Sequence, residues 1–128
     1  MSGRPRVLLL DDDTEALETA TRLLDAAGFE VVLSGRRNGR VDFIVHTRPD
    51  LVVLGVRLPY LAGDEVLTAL AWHPMLKRIP VVILSASDPA YLEDLVRESG
   101  ARSFVRKSEL RRELLARVEA GLQPRSAA

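Results

Sequence analysis

Short apolar runs alternate with longer stretches of helical periodicity along this chain. Continuous apolar runs of a few residues are typical of strands that are buried on both faces, as in a parallel sheet. Four such runs and a more polar fifth segment occupy residues 7–10, 31–33, 51–54, 81–84 and 102–105. The pattern therefore predicts five buried strands.

Between these runs the apolar residues recur at helical spacing. The first helical stretch covers residues 14–27, with Asp13 or Thr14 to cap its start and Gly28 just beyond its end. The second must stop before Pro49. The other three are predicted to open at Gly63-Asp64, Asp88-Pro89 and Ser108. Five strands alternating with five helices predict an α/β fold, with a five-stranded parallel sheet, helices on both faces and right-handed crossovers.

Length and composition are those of one small domain. The chain has 128 residues, of which 47% are apolar, enough for a single core. We predict an N-terminal extension over residues 1–6, a domain over 7–120, and a C-terminal tail or linker over 121–128. The absence of cysteine excludes disulfides, zinc–thiolate sites and thiol catalysis.

The charge balance bears on partners and location. The 18 Lys and Arg residues equal the 18 Asp and Glu residues, so no broad field attracts nucleic acid or an anionic membrane. The apolar run at residues 7–10 is too short for a signal peptide or a membrane span. We therefore expect a cytoplasmic domain with no nucleic-acid partner and no membrane partner.

Polar residues with chemical potential follow several of the predicted strands. Asp11 and Asp12 follow the first strand, Ser85 the fourth and Lys107 the fifth. The carboxyl ends of parallel strands meet at one edge of the sheet, where binding and chemistry collect. Each residue alone has an ordinary surface or capping role, but their coincidence at one edge favours a site. The third strand ends at Gly55, which has no side chain.

These residues belong to segments that resemble the receiver domains of two-component response regulators. The resemblance covers the chain from Val7 to about Ala120. The matching segments are Val7-Leu8-Leu9-Leu10-Asp11-Asp12-Asp13, Pro49-Asp50-Leu51-Val52-Val53-Leu54, Leu58-Pro59 with Gly63, Ile79-Pro80-Val81-Val82-Ile83-Leu84-Ser85-Ala86, and Ser99-Gly100-Ala101 followed by Phe104-Val105-Arg106-Lys107. Their order and spacing make the resemblance specific.

The resemblance implies a fold and a set of roles. The fold is a doubly wound, three-layer α/β/α sheet of the flavodoxin-like (CheY-like) type. Asp11 and Asp12 would hold Mg²⁺, Ser85 would bond a phosphoryl group, and Lys107 would pair with that group. Phe104 would occupy the aromatic switch position. The last helix–strand–helix face would dock a signalling partner or form a homodimer.

The sequence departs from the family at its central position. Gly55 stands where the family has its phosphoacceptor aspartate, and Ser108 stands where it usually has a proline. Phosphoryl transfer needs a nucleophilic oxygen in line with the donor, and glycine offers none. The metal site also loses a carboxylate, so Mg²⁺ binding should be weak or absent. We therefore predict no phosphorylation at residue 55, no required cofactor and no enzymatic activity.

The two remaining carboxylates need a cation in place of the metal. Two unit charges about 4 Å apart repel by several kcal/mol at an effective dielectric constant near ~20. Our hypothesis is that Lys107, helped by Arg57, neutralises Asp11 and Asp12 internally and locks one conformation. An ordinary solvated loop arginine is an equally good interpretation of Arg57.

These observations predict a receiver-like regulatory module that acts through protein–protein contacts. Cations outnumber anions on the last helix–strand–helix face, a pattern that suits either an acidic partner or a solvated surface. One alternative is a small-ligand domain in which the room at Gly55 admits an anion beside Ser85 and Lys107. Another is a phosphate-accepting receiver that carries an engineered change from Asp to Gly. Nucleotide enzymes are disfavoured, because no glycine-rich phosphate loop follows the first strand.

Overall fold

The computed structural model describes residues 3–34, 40–56, 69, 72–74 and 76–124. Within these residues the strands are β1 (Arg6–Leu10), β2 (Glu30–Ser34), β3 (Leu51–Gly55), β4 (Val81–Ser85) and β5 (Ser103–Arg106). The helices are α1 (Thr14–Ala26), α2 (Arg40–Thr47), α3 (Pro89–Ser99) and α4 (Leu110–Leu122). A single 3₁₀ turn, Lys107–Glu109, joins β5 to α4. The helix predicted to open at Gly63 lies outside the described residues.

All strand pairs are parallel, and the order across the sheet is β2-β1-β3-β4-β5. This confirms the predicted five-stranded parallel α/β sheet. The chain reverses direction across the sheet between β1 and β3, because β2 lies on one side of β1 and all later strands lie on the other. Ligands of such sheets bind where the strand order reverses, at the carboxyl ends of the strands.

The central strands are buried on both faces, as their continuous apolar runs predict. Leu8, Val52 and Ile83 belong to one core cluster, which packs with residues of α2 and α3. Val53 and Val82, on the opposite face, belong to a second cluster with residues of α1 and α4. The molecule is therefore a three-layer sandwich whose sheet separates two cores.

The helix ends follow the capping signals in the sequence. The Asp13 side chain accepts a hydrogen bond from the Ala16 amide at the start of α1. Gly100 ends α3 in the left-handed conformation, with φ of 80°, which glycine adopts without strain. The last helix runs through Leu122, two residues past the predicted end of the domain. No described helix is long and apolar enough to cross a membrane.

Candidate functional site

The residues predicted to form a site follow strands whose ends lie side by side. Asp11 follows β1, Gly55 ends β3, Ser85 ends β4, and Lys107 follows β5. The strand register aligns Leu10 with Leu54, and Gly55 with Leu84. The structure thus places these residues along one carboxyl edge of the sheet, which we call the rim.

The space beside Gly55 is occupied by the carboxyl group of Asp11. A Cβ atom on residue 55 would lie 2.3 Å from Asp11 Cγ and 2.6 Å from each of its carboxylate oxygens. Gly55 does not have a positive φ, so the backbone does not require glycine there. The missing side chain instead leaves room for Asp11, which is only 8% exposed.

The Lys107 ammonium is bound by two carboxylates. Its Nζ lies 3.0 Å from Asp11 Oδ2 and donates a hydrogen bond of 3.1 Å to Asp13 Oδ2. The contact with Asp11 is an ion pair that is not aligned as a hydrogen bond. Asp11 Oδ1 accepts from the backbone amides of Asp12 at 2.8 Å and Asp13 at 3.3 Å. Lys107 therefore joins the end of β5 to the start of α1.

These contacts shift the pKa values of the two more accessible partners. The pKa of the Asp13 carboxyl lies below its ordinary value, mainly because it accepts the Ala16 amide and next because it accepts the Lys107 ammonium. Burial acts to lower the pKa of Lys107, but the contacts with Asp11 and Asp13 together outweigh it and raise that pKa. The ion pair is therefore charged at neutral pH.

The second carboxylate on Lys107 is not the one that sequence reasoning named. The hypothesis paired Lys107 with Asp11 and Asp12, whereas the structure gives Asp11 and Asp13, and Asp12 is exposed. In the sequence, Asp13 signalled only a helix cap. Its two oxygens serve both purposes, because Oδ1 caps α1 while Oδ2 accepts Lys107. Arg57, the other proposed cation, lies outside the described residues.

The described residues do not fit a Mg²⁺ ion in this arrangement. Mg²⁺ takes about six oxygen ligands in near-octahedral geometry. The oxygens of Asp11 are already bound to Lys107 and to backbone amides, and Gly55 contributes none. Across the described parts of the chain, no three acidic, histidine or cysteine residues are grouped to hold a metal.

Ser85 ends β4 at the rim, whereas Phe104 lies within β5, paired with Ile83 and short of the rim. Ser85 is 1% exposed, and its Oγ donates to Ser87 Oγ and accepts from the Ser87 amide, both at 3.2 Å. Phe104 packs partly buried against the first core cluster. It also lines a cavity of about 290 Å³ between α3, β5 and α4.

The alternative of an anion in the room at Gly55 meets a steric obstacle. That room is filled by a carboxylate, and the Lys107 ammonium that would attract the anion already contacts two carboxylates. A second anion there would have to displace Asp11. The geometry thus favours internal neutralisation over ligand binding at this point.

Comparison with known proteins identifies the family to which the chain belongs. The response regulator receiver domain family matches residues 7–119. The chain is 38% identical over 125 residues to the transcriptional regulatory protein PrrA of Mycobacterium leprae, covering 96% of this chain and 52% of that protein. It is 34% identical to the DNA-binding response regulator MtrA of Mycolicibacterium smegmatis, covering 94% of this chain and 51% of that protein. The chain thus spans about half the length of these curated relatives.

Solved structures agree with the fold. A putative response regulator from Chloroflexus aurantiacus superposes with a TM-score of 0.81 at 27% identity, covering 93% of this chain and 98% of that one. The activated N-terminal receiver domain of Klebsiella pneumoniae RstA gives 0.74 at 26%, covering 93% and 99%. The predicted fold class and the resemblance to receiver domains are confirmed.

The prediction of no nucleic-acid partner is wrong. PrrA is a transcriptional regulatory protein and MtrA a DNA-binding response regulator, and both match nearly the whole of this chain. The prediction relied on balanced charge in a stretch that corresponds to only about half of each relative. A charge balance over that half carries no information on DNA contacts made elsewhere in such a protein.

Proposed function

This chain belongs to the response regulator receiver domain family, and we propose that it is a receiver module that works without phosphorylation at residue 55. It transmits its signal through protein–protein contacts. By analogy with PrrA and MtrA, its regulatory output is the control of transcription.

One observation carries the proposal: the acceptor position has no oxygen, and a neighbouring carboxylate fills its space. Forming an acyl phosphate requires a carboxylate oxygen in line with the phosphorus of the donor. Gly55 has none. The nearest carboxylate, on Asp11, is buried, and both of its oxygens are engaged by Lys107 or by backbone amides. Asp11 is therefore poorly placed to attack a donor instead.

The Lys107 contacts indicate how the module holds one conformation. Resemblance to the family assigns this lysine to a phosphoryl group, which arrives only when the domain is activated. Here two carboxylates of the same chain bind the ammonium at 3.0 and 3.1 Å. Because these anions are permanent, the rim keeps one arrangement, and control must come from the binding of partners or from the amount of the protein.

The test is incubation with acetyl phosphate and Mg²⁺, followed by intact mass measurement, on the natural chain and on a Gly55→Asp variant. We expect no acid-labile phosphoryl mass on the natural chain. A label on the variant alone supports the proposal. It would show that the rest of the phosphate-accepting pocket is present and that only the acceptor carboxylate is missing. Phosphorylation of an aspartate in the natural chain would overturn it.

If the variant stays unlabelled, the structure offers a physical reason. The new aspartate has to displace the Asp11 carboxyl and so disturb the Lys107 ion pair. Circular dichroism of the variant is the matched control for folding. A folded but unlabelled variant would mean that rim residues other than residue 55 also prevent phosphorylation. The natural chain would still be one that is not phosphorylated.

A further inference from the structure

The amino edge of the sheet, opposite the rim, carries an excess of positive charge. We define this edge as the first residue of each strand together with the four residues before it. Among its described residues six are cationic and two are acidic: Arg4, Arg6, Arg48, Lys77, Arg78 and Arg102, against Glu30 and Asp50. The zero net charge of the chain therefore conceals a basic edge.

Three of these cations are exposed and have no ion pair within the described parts of the chain: Arg48, Lys77 and Arg78. The two carboxylates of the edge are engaged with another residue. Glu30 pairs with the Arg6 guanidinium at 3.0 Å, and Asp50 accepts a hydrogen bond from the Arg6 amide at 2.7 Å. Exposed charges without counter-ions attract a partner of the opposite sign.

The cations lie in a line along the edge. The Asp50 amide donates to the Arg6 carbonyl at 2.7 Å, and the Val52 amide donates to the Pro80 carbonyl at 3.0 Å. The segments that enter β1, β3 and β4 therefore run side by side, about 4.8 Å apart from strand to strand. The exposed carboxylates near the helix ends at this edge belong to the layers that cover the two faces of the sheet: Asp25, Glu98 and Glu119.

Arg48 has a backbone conformation that glycine adopts more easily. Its φ is 52°, in the left-handed region, whereas the residues in that region beyond α1 and α3 are Gly28 and Gly100. A side chain in this region costs backbone strain. Because the backbone alone would favour glycine, the arginine at this position indicates a role for its exposed side chain.

The turn before β4 presents an aromatic ring beside two of the cations. Trp72, the single tryptophan of the chain, is 79% exposed, although tryptophan is mostly buried in folded domains. The His73 carbonyl accepts from the amides of Leu76 at 3.0 Å and Lys77 at 2.9 Å, and Leu76 is buried in the first core cluster. The turn is therefore anchored while Trp72, Lys77 and Arg78 are exposed to solvent.

We propose that this amino edge binds single-stranded nucleic acid. Arg48, Lys77 and Arg78 contact phosphates of the backbone, and Trp72 stacks on an unpaired base. A line of cations beside an exposed ring matches a chain of phosphates and bases better than an acidic protein surface, whose charges do not repeat. The edge lies across the sheet from Gly55, so this binding does not depend on the state of residue 55.

The test is a titration of the natural chain with a short oligothymidylate, followed by the fluorescence of Trp72. We expect saturable quenching, because the ring stacks on a base. The logarithm of the binding constant should fall against the logarithm of the salt concentration with a slope of about −2, since each of three neutralised phosphates releases about 0.7 counterions from a single strand. A polyglutamate peptide, which has charge but no bases, should bind more weakly and leave the fluorescence unchanged.

Variants locate the binding on this edge. Arg48→Gly removes one cation and relieves the backbone, so it keeps the fold and should weaken binding several-fold. Arg78→Gln should reduce the salt slope by about 0.7. Trp72→Ala, followed by the anisotropy of a labelled oligonucleotide, should weaken binding about tenfold. Arg111→Gln, on the exposed side of α4, is the control and should leave binding unchanged.

Other outcomes overturn the proposal. Quenching that does not saturate, or binding that Arg48→Gly and Arg78→Gln leave unchanged, would show that the edge does not bind nucleic acid. Equal or tighter binding of a duplex would contradict stacking by Trp72, and polyglutamate binding as tight as that of the oligonucleotide would assign the edge to an acidic protein. None of these measurements involves phosphorylation, so their failure is distinct from failure of the proposed function.

Discussion

At the scale of single residues, Asp11 and Gly55 have to be considered together. An aspartate at position 55 and the present Asp11 rotamer cannot coexist, because even a Cβ atom would lie 2.3 Å from Asp11 Cγ. The absence of a side chain at residue 55 thus leaves the space that the Asp11 carboxyl group occupies. The Lys107 ammonium is neutralised by two carboxylates of the same chain.

We expect Gly55→Ala to lower the free energy of unfolding by about 1–3 kcal/mol, since the methyl group pushes Asp11 away from Lys107 and leaves buried charges less well paired. Denaturant unfolding measures the change. The matched control repeats it in an Asp11→Ala background, where the methyl group meets no carboxyl and the cost should largely vanish. Equal costs in the two backgrounds would show that Asp11 does not fill this space.

The Lys107 contacts also predict how stability depends on pH. The pKa of Asp13 is lowered from 3.8, so its contribution is present above pH 3.8 and is lost as the pH falls through the lower folded value. The pKa of Lys107 is raised from 10.5, so its contribution is present below pH 10.5 and is lost as the pH rises through the higher folded value.

We therefore expect Lys107→Met to destabilise the protein most between about pH 4 and 10, and progressively less outside that window. Urea unfolding of both proteins across the pH range measures this. Arg112→Met, which removes an exposed ion pair with Glu109, is the control and should cost little at any pH. A cost of Lys107→Met that does not vary with pH would contradict the ion pair.

The sequence predicts part of this site and not the rest. Asp11, Gly55, Ser85 and Lys107 can be assigned to one edge because each lies where a recognisable strand ends. The second role of Asp13 depends on the path of the β1–α1 turn and on the side-chain conformation of Lys107. Neither is encoded in local periodicity.

At the scale of elements, the end of α4 shows how tertiary contacts override a local signal. Gly121 reads in the sequence as the start of a tail, yet it is buried within the helix. A Cβ atom there would lie 2.7 Å from Cδ1 of Leu51, the first residue of the central strand β3. The Arg102 guanidinium donates to the Gly121 and Gln123 carbonyls at 3.1 and 2.9 Å, which holds the end of the helix.

We expect Gly121→Val to destabilise the protein by about 1–3 kcal/mol, because the branched side chain overpacks the contact between α4 and β3. Thermal or denaturant unfolding measures the loss. Ala120→Val is the matched control, since residue 120 is exposed in the same helix and should cost only a fraction of a kcal/mol in helix propensity. Similar losses at the two positions would mean that α4 does not pack closely at Gly121.

The strands and helices themselves were predictable for a physical reason. A strand covered on both faces must be apolar at successive positions, so the runs at 7–10, 51–54 and 81–84 mark β1, β3 and β4 directly. The edge strand β5 is shifted by one residue from its predicted place, since its sequence is mixed. The helix predicted from Gly63 lies outside the described residues and stays a prediction.

At the scale of the whole molecule, ion pairs at the rim join the end of the last strand to the start of the first helix. Lys107 follows the last strand, while Asp11 and Asp13 follow the first, so their contact ties β5 to the start of α1 across the sheet. The resemblance to receiver domains gives Lys107 a phosphoryl partner, whereas the contacts in this structure are made by two carboxylates of the chain itself.

The most direct measurement of this claim is the NMR signal of the Lys107 ammonium, followed in the natural chain while Mg²⁺ and then acetyl phosphate are added. The signal is assigned by its loss in Lys107→Met, and Asp13→Asn shows how far it moves when one carboxylate is removed. We predict that neither addition moves it, because Asp11 and Asp13 keep the ammonium occupied. A saturable shift with Mg²⁺, or a new signal that appears with acetyl phosphate, would contradict the internal ion pair as the permanent state of the rim.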